Sequence, residues 1–219
     1  MRKLTGAVFV SLDGIMQAPG APTEDWTGGF RFGGWLPPFA DEMLGETIGA
    51  LFAGSFDLLL GRETYEIFAA YWPYVEPGHP IGTAFDKAGK YVVTHRDEGL
   101  DWQNSHRLPG IDAVAELKRS DGPELIIQGS STLYPPLFAA GLIDRLIVMT
   151  YPVVLGGGKR LFGAGTPPLS LRLIDQKLSS KGVVIATYEP AGEIQIGTFP
   201  GPEPSEREKA RQERMARHG

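Results

Sequence analysis

Two short segments constrain the fold of this chain more than anything else in it. Leu58-Leu59-Leu60 runs straight into Gly61-Arg62-Glu63-Thr64, and Leu125-Ile126-Ile127 into Gln128-Gly129-Ser130-Ser131-Thr132. Each is an apolar run of strand length followed by glycine and hydroxyl residues suited to opening a helix. A helix start presents unpaired backbone N–H groups, and the helix dipole favours an anion beside them. Two such junctions point to a ligand with more than one phosphate.

Around these junctions the pattern alternates strand and helix. Residues 3–12 read as an apolar first strand. Residues 15–39, rich in Gly, Pro and bulky aromatics (Trp26, Phe30, Phe32, Trp35, Phe39), read as a packed lid over a pocket. Helices are predicted over 40–53, over 63–72 with Pro73 ending it, over 112–119 with Asp112 as cap, and over 133–140 with Gly141 past its end. Further strands are predicted at 58–60, 90–94, near Trp102, at 124–128 and at 145–154. Residues 74–82 read as loop and 156–165 as a glycine-rich loop. Segments 169–178 and 182–188 read as a hairpin, and 193–199 as a last short strand. That order predicts an α/β fold: a mixed sheet, parallel at its centre, with helices on both faces and an antiparallel C-terminal hairpin. Residues 1–199 form one expected domain. From residue 200, three prolines and a charged helical stretch with almost no apolar face predict a solvated tail.

Composition removes several function classes. At 219 residues the chain can bury one sizeable core, and its 42% apolar and 21% charged content is that of a soluble globular protein. A net charge of −5 gives no basis for a nucleic-acid or anionic-membrane surface. No apolar run approaches a membrane span, and Asp13 interrupts the N-terminal run before it resembles a signal peptide, so a cytoplasmic location is expected. Zero cysteines exclude disulfides, thiol catalysis and thiolate metal sites, and none of the 4 histidines pair at ligand spacing. No metal site is expected.

The motifs each have a plain reading beside the functional one. Gly61-Arg62-Glu63-Thr64 is an ordinary tight turn or a phosphate cradle; Arg62 favours the cradle, because a guanidinium grips phosphate with two bonds. Val93-Thr94-His95-Arg96 is an exposed turn or a second basic, hydroxyl-bearing strand end. Gly129 admits a pyrophosphate close to the backbone, whereas Pro135-Pro136 requires the following helix to start after the serines or to be irregular. Gly156-Gly157-Gly158-Lys159-Arg160 is no Walker loop, since Val153 and Arg160 stand where Gly and Ser or Thr belong. It is a flexible loop or a pocket wall that sets Lys159 and Arg160 near an anionic substrate. Asp13 in Ser11-Leu12-Asp13-Gly14 is a turn residue or a carboxylate at the pocket, and Asp41 and Glu42 complement the dipole of their helix. Together the junctions and Asp13 suggest a dinucleotide-dependent reductase.

In order, Ser11-Leu12-Asp13-Gly14, Leu60-Gly61-Arg62-Glu63-Thr64-Tyr65, Tyr91-Val92-Val93-Thr94, Ile127-Gln128-Gly129-Ser130 and Pro152-Val153-Val154-Leu155-Gly156-Gly157-Gly158 resemble the dihydrofolate-reductase-like superfamily. The chain is most similar to the reductase domain of riboflavin biosynthesis in its stand-alone bacterial form. The resemblance spans roughly residues 3–188. It implies NADPH as cofactor: Gly61, Arg62 and Thr64 at its phosphates, Thr94 and Arg96 at the adenosine end, and Gln128, Gly129, Ser130, Ser131 and Thr132 at the pyrophosphate. It implies Asp13 as the catalytic carboxylate beside nicotinamide and substrate, with Gln17, Trp35, Gly156 and Gly157 shaping the substrate pocket. Asp41 is the nearest candidate for the pterin-contacting acid of dihydrofolate reductases. A homodimer is expected, with a small-molecule substrate: a pyrimidine ribosylamine phosphate, alternatively a pterin. A third possibility is a nucleotide-binding protein without catalysis.

Overall fold

The computed structural model describes residues 1–96 and 98–218. Among these described residues, eight strands make one sheet: β1 (Leu4–Ser11), β2 (Phe56–Gly61), β3 (Lys90–Val93), β4 (Ser105–Leu108), β5 (Glu124–Gln128), β6 (Arg145–Tyr151), β7 (Leu171–Leu178) and β8 (Val184–Pro190), in the order β4-β3-β2-β5-β1-β6-β8-β7. The first six run parallel; β8 lies antiparallel to β6, and β7 antiparallel to β8. Helices α1 (Glu42–Leu51), α2 (Arg62–Ala69), α3 (Pro80–Lys87), α4 (Ile111–Arg119) and α5 (Tyr134–Ala139) flank the sheet, and α6 (Glu206–His218) forms an exposed tail. This is the mixed, mostly parallel sheet with a C-terminal hairpin that the sequence predicts.

Strand periodicity divides the core. Leu58 and Leu60 pack with Phe52, Tyr65 and Phe85 on one face, while Leu59 packs with Val114, Tyr134 and Leu137 on the other. Connections toward β4 carry α1, α2 and α3; those toward β7 carry α4 and α5. Right-handed crossovers place these two sets on opposite faces, as the core clusters record.

At the opposite end of the strands, Arg2 is buried, ion-paired with Asp57, and its Nε donates to the Pro123 carbonyl at 2.7 Å. Asp57 Oδ1 also accepts the Gly89 N–H at 2.8 Å. One acidic side chain therefore joins the N-terminal segment to the start of β3.

Several boundaries differ from expectation. The segment read as loop at 74–82 contains the start of α3: Pro80 occupies its first turn and the His79 ring caps it by accepting from Gly82 N–H at 3.3 Å. The strand expected near Trp102 lies later, at β4; Trp102 is buried instead, its N–H donating to the Tyr65 hydroxyl at 2.9 Å. α2 ends at Ala69, before Pro73, which falls within a separate 3-10 turn, Trp72–Tyr74. Gly110, not Asp112, holds the cap position of α4, and Asp112 sits in the first turn. Residues 193–199 form no strand, for no strand among the described residues pairs with them. Past α5, Gly141 takes φ +63° and Leu142 N–H reaches back to Leu137 O at 3.0 Å, so the predicted glycine stop holds. Among the described residues, no helix is long and apolar enough to cross a membrane.

Candidate functional site

Because β1 to β6 are parallel, their C-terminal ends share one edge, and the turns singled out in the sequence lie along it. Between β2 and β5 the direction of the outgoing connections reverses, so α2 leaves on one face and α5 on the other. Open α/β sheets bind ligands in the crevice that such a reversal creates.

The two turns flanking that crevice are tied together. Gly61 N–H donates to Ser130 Oγ at 2.8 Å, and Ser130 N–H donates to Thr64 Oγ1 at 2.9 Å. To make both bonds Gly129 and Ser130 adopt left-handed φ of +71° and +57°. A Cβ on Gly129 would lie 3.0 Å from Thr64 Cγ2, which explains glycine there. Gly61 and Ser130 thus spend polar groups on each other. The open donors are the N–H groups of Glu63 and Thr64 in the first turn of α2, whereas the Arg62 N–H falls in the β2–β3 ladder beside Val93. α5 starts after the serines, where its first turn tolerates Pro135 and Pro136. Ser130 to Thr132 therefore form a separate turn before α5, the first of the two arrangements that Pro135-Pro136 allowed. Gln128 ends β5 half-buried, Ser131 is half-buried, and Thr132 is exposed.

The next strand end along the edge carries the basic groups. Arg62 Nε is 2.6 Å from Glu66 Oε1, and its Nη1 donates to the Glu98 carbonyl at 2.7 Å. Arg96 Nη1 lies 3.8 Å from the same Glu66 oxygen. Thr94 Oγ1 accepts the Arg96 N–H at 3.1 Å, and Arg107 Nε donates to the Thr94 carbonyl at 3.3 Å, fixing that turn. Arg62, Thr64, Gly129, Ser130, Thr94 and Arg96 consequently belong to one connected surface.

At the other end of the crevice Asp13 is an acceptor, fully engaged. Ser11 Oγ donates to its Oδ1 at 2.6 Å, as does Leu155 N–H at 3.1 Å, while Gly156 N–H donates to Oδ2 at 2.8 Å. The Ser11 hydroxyl first, then the Leu155 and Gly156 N–H groups, hold this carboxyl down from 3.8 to about 2, against a smaller opposing effect of burial. A carboxyl held this low is ionised at neutral pH, and its bonds anchor the strand-end loop at Leu155 and Gly156. A depressed carboxyl adds stability above its unfolded value, and that contribution disappears as pH falls through the folded value. Accordingly, Asp13→Asn should flatten the acid limb of the stability curve between 3.8 and about 2 without changing its slope above. Chemical denaturation across that pH range measures it, and a parallel offset at every pH would contradict it.

That loop forms one wall of a cavity of about 390 Å³. Gln17, residues 27–32 of the lid, Leu155, Gly157, Gly158 and Lys159 line it. Gln17 is buried; its Nε2 donates to the Thr27 carbonyl at 3.0 Å and its Oε1 accepts the Lys159 N–H at 3.1 Å, pinning lid to loop. Lys159 Nζ lies 2.8 Å from Asp25 and 2.6 Å from Glu63 at the start of α2. Burial works against the charge on Lys159, but these two carboxylates outweigh it and raise its pKa. Arg31, exposed at the cavity, has no ion-pair partner among the described residues.

Two expected substrate contacts are placed otherwise. Trp35 is in the core, its ring centroid 5.2 Å from that of Tyr151 and its Nε1 donating to the Gln17 carbonyl at 2.8 Å. It supports the pocket from behind. Asp41 caps α1, its Oδ1 accepting the Leu44 N–H at 3.0 Å and its Oδ2 accepting from Ser180 Oγ at 2.8 Å. Both oxygens are engaged because this residue starts a helix beside the β7–β8 turn. Gly157 lines the cavity, and Gly156 stands beside it, bonded to Asp13. Sequence reasoning missed Arg31, Thr27, Glu66 and Arg107; of these only Glu66 had a signal, its spacing of four from Arg62 in the helix.

Residues 2–185 match the family model for the RibD C-terminal domain. The chain is 30% identical over 189 residues to YwjB, an uncharacterized protein of Bacillus subtilis, covering 83% of this chain and 95% of that one. It is 27% identical over 135 residues to YyaP of the same organism, covering 60% and 72% of the two chains. A putative riboflavin biosynthesis protein from Shewanella sp. PV-4 superposes with TM-score 0.58 at 17% identity, covering 86% of this chain and 99% of that one. A pyrimidine reductase-like protein from Corynebacterium diphtheriae gives 0.57 at 13% identity, over 88% and 93% of the chains. Dihydrofolate reductase from Enterococcus faecalis, complexed with NADP(H), gives 0.53 at 15% identity, over 86% and 96%. These structures share the sheet described above, and the family match runs from the residues before β1 into β8. The chain belongs to the RibD C-terminal domain family.

Proposed function

We propose that this protein is an NADPH-dependent reductase acting on a small polar heterocycle, with a pyrimidine ribosylamine phosphate as its substrate class. The observation that carries this reading is the convergence at one sheet edge: two cross-tied turns flank the crevice at the strand reversal, and a substrate-sized cavity adjoins it. The residues fit a dinucleotide. Glu63 and Thr64 offer backbone N–H groups to a pyrophosphate, Gly129 keeps a Cβ away from it, and the Arg62 and Arg96 side chains stand ready for a further phosphate. Once bound, NADPH supplies the hydride. The protein orients the substrate in the cavity and restricts water there, with the lid closed by Gln17 and Lys159. Asp13 holds the loop wall in place, and the proton that follows hydride comes from solvent. Arg31 is available to the substrate's phosphate.

A cavity of about 390 Å³ lies toward the small end of ligand pockets, which run from roughly 300 to 1,000 Å³. Pterin reduction is less well supported, since both Asp41 oxygens are engaged at the helix cap. The deciding experiment follows NADPH oxidation over a panel of pyrimidine ribosylamine phosphates and dihydropterins. Turnover confined to the pyrimidines supports the proposal, and turnover of pterins alone rejects its substrate class. Tight NADPH binding with no turnover of any compound favours a binding protein without catalysis. Arg62→Ala should raise the NADPH dissociation constant roughly tenfold, about 1.4 kcal/mol. Calorimetric titration reads it, and an unchanged constant removes Arg62 from the site.

A further inference from the structure

The two arginines at the adenosine end of the crevice share a single counter-ion. Glu66, one turn into α2, holds Arg62 Nε at 2.6 Å and stands 3.8 Å from Arg96 Nη1, all through one oxygen. Arg62 is additionally fixed by the Glu98 carbonyl, at 2.7 Å from Nη1, and its Nη2 lies close under Gly99. A side chain on Gly99 would strike that guanidinium, since an added Cβ would stand 2.6 Å from Nη2. Arg62 is therefore held on three sides, with its side chain 17% exposed. Arg96 is not: its side chain is 68% exposed, and the long Glu66 contact is its only ion pair among the described residues. Thr94 and Arg107 fix the backbone beneath Arg96 without touching its guanidinium.

From this asymmetry we infer that Glu66 sets the coenzyme preference of the site, by competing with a ligand phosphate for Arg62 and Arg96. The inference rests on the reductase reading and deepens it. A carboxylate and a phosphate monoester want the same guanidinium donors, and both cannot have them. A phosphate arriving between the arginines must displace Glu66 or sit beside its like charge. Either way Glu66 opposes a coenzyme carrying a phosphate on its adenosine ribose. A coenzyme lacking that phosphate brings no charge to the same spot, so Glu66 leaves it almost untouched. Arg96, the more exposed and more weakly held partner, is the group that changes hands, whereas Arg62 keeps its Glu98 bond. The Glu66 side chain is 49% exposed, so its pairing with Arg62 is screened and within reach of a competing anion.

The test is Glu66→Gln, which keeps size and helix propensity and removes the charge. Dissociation constants for NADPH, NADH, adenosine 2′,5′-bisphosphate and AMP are measured by calorimetry on both proteins, with folding checked by thermal unfolding. The expected result is roughly fivefold tighter binding of NADPH and of the bisphosphate, the scale of one exposed ion pair, with NADH and AMP unchanged. The gain should shrink at high salt and vanish when Arg96→Ala is added. Weaker NADPH binding by Glu66→Gln would overturn the inference, making Glu66 a support for Arg62. An equal shift for all four compounds would overturn it as well. Failure of the unmodified protein to bind NADPH or the bisphosphate would instead overturn the reductase reading, and this inference with it.

Discussion

Asp13→Ala should lower kcat/KM by roughly a hundredfold, the usual cost of letting a reacting geometry drift by about an ångström. The same substitution should leave the NADPH dissociation constant within about a factor of three. The split follows from where the carboxylate acts. Its bonds reach Ser11, Leu155 and Gly156, of which Leu155 lines the cavity, and none reaches the Gly61 or Gly129 turns. Losing it frees two backbone N–H groups and lets the loop wall move, while the phosphate donors of α2 stay in place. Asp13→Asn, which keeps one acceptor oxygen, should recover part of the rate. Steady-state kinetics on whichever panel compound is turned over gives the answer. Equal losses in rate and in NADPH affinity would mean that the two ends of the crevice are not separable in this way.

Asp57→Ala should reduce the free energy of unfolding by about 3–5 kcal/mol, the range seen when a buried ion pair loses one member. Arg2 would keep its charge in a site where its side chain is only 2% exposed. Gly89 N–H would lose its acceptor at the same time. Since Leu58 N–H pairs with the Gly89 carbonyl at 2.8 Å, the damage falls on the start of the β2–β3 pairing, far from the crevice. Urea unfolding should show a shifted midpoint with the slope unchanged, and a loss below about 1 kcal/mol would show that the pair is solvated. Replacing Arg2 and Asp57 together by apolar residues should cost less than Asp57→Ala alone, because no orphan charge remains.

The strands and the turns at their ends could be read from the sequence because their signals are local. Leu58 to Leu60 and Leu125 to Ile127 are buried on both faces, which only apolar runs tolerate, and the glycines that follow mark their ends. α3 escaped because its start, Pro77-Gly78-His79-Pro80, carries two turn signals, and its cap is a histidine ring, a residue not expected in that role. Segment 193–199 has the alternation of a strand, with Ile194 and Ile196 in step, but a strand needs a partner and none is supplied. The site divides along the same line. Gly61, Arg62, Gly129 and Ser130 announce themselves by type and order. The joining of lid to α2 by Lys159, through Asp25 and Glu63, depends on residues far apart in the chain and has no local trace. Asp41 shows the converse: an acid in the position that the pterin resemblance suggested, spent on starting a helix.

Ser130 gives its hydroxyl to the turn before α2 and its amide to a threonine inside α2, yet it leads into α5 on the other side of the sheet. The two helical layers are thereby pinned to one another through a single residue at the crevice itself. A displacement of α5, whatever its origin, is passed to the opening turn of α2 without having to deform the strands between them. Distant substitutions beneath either layer can therefore alter the shape of the crevice while the sheet stays still.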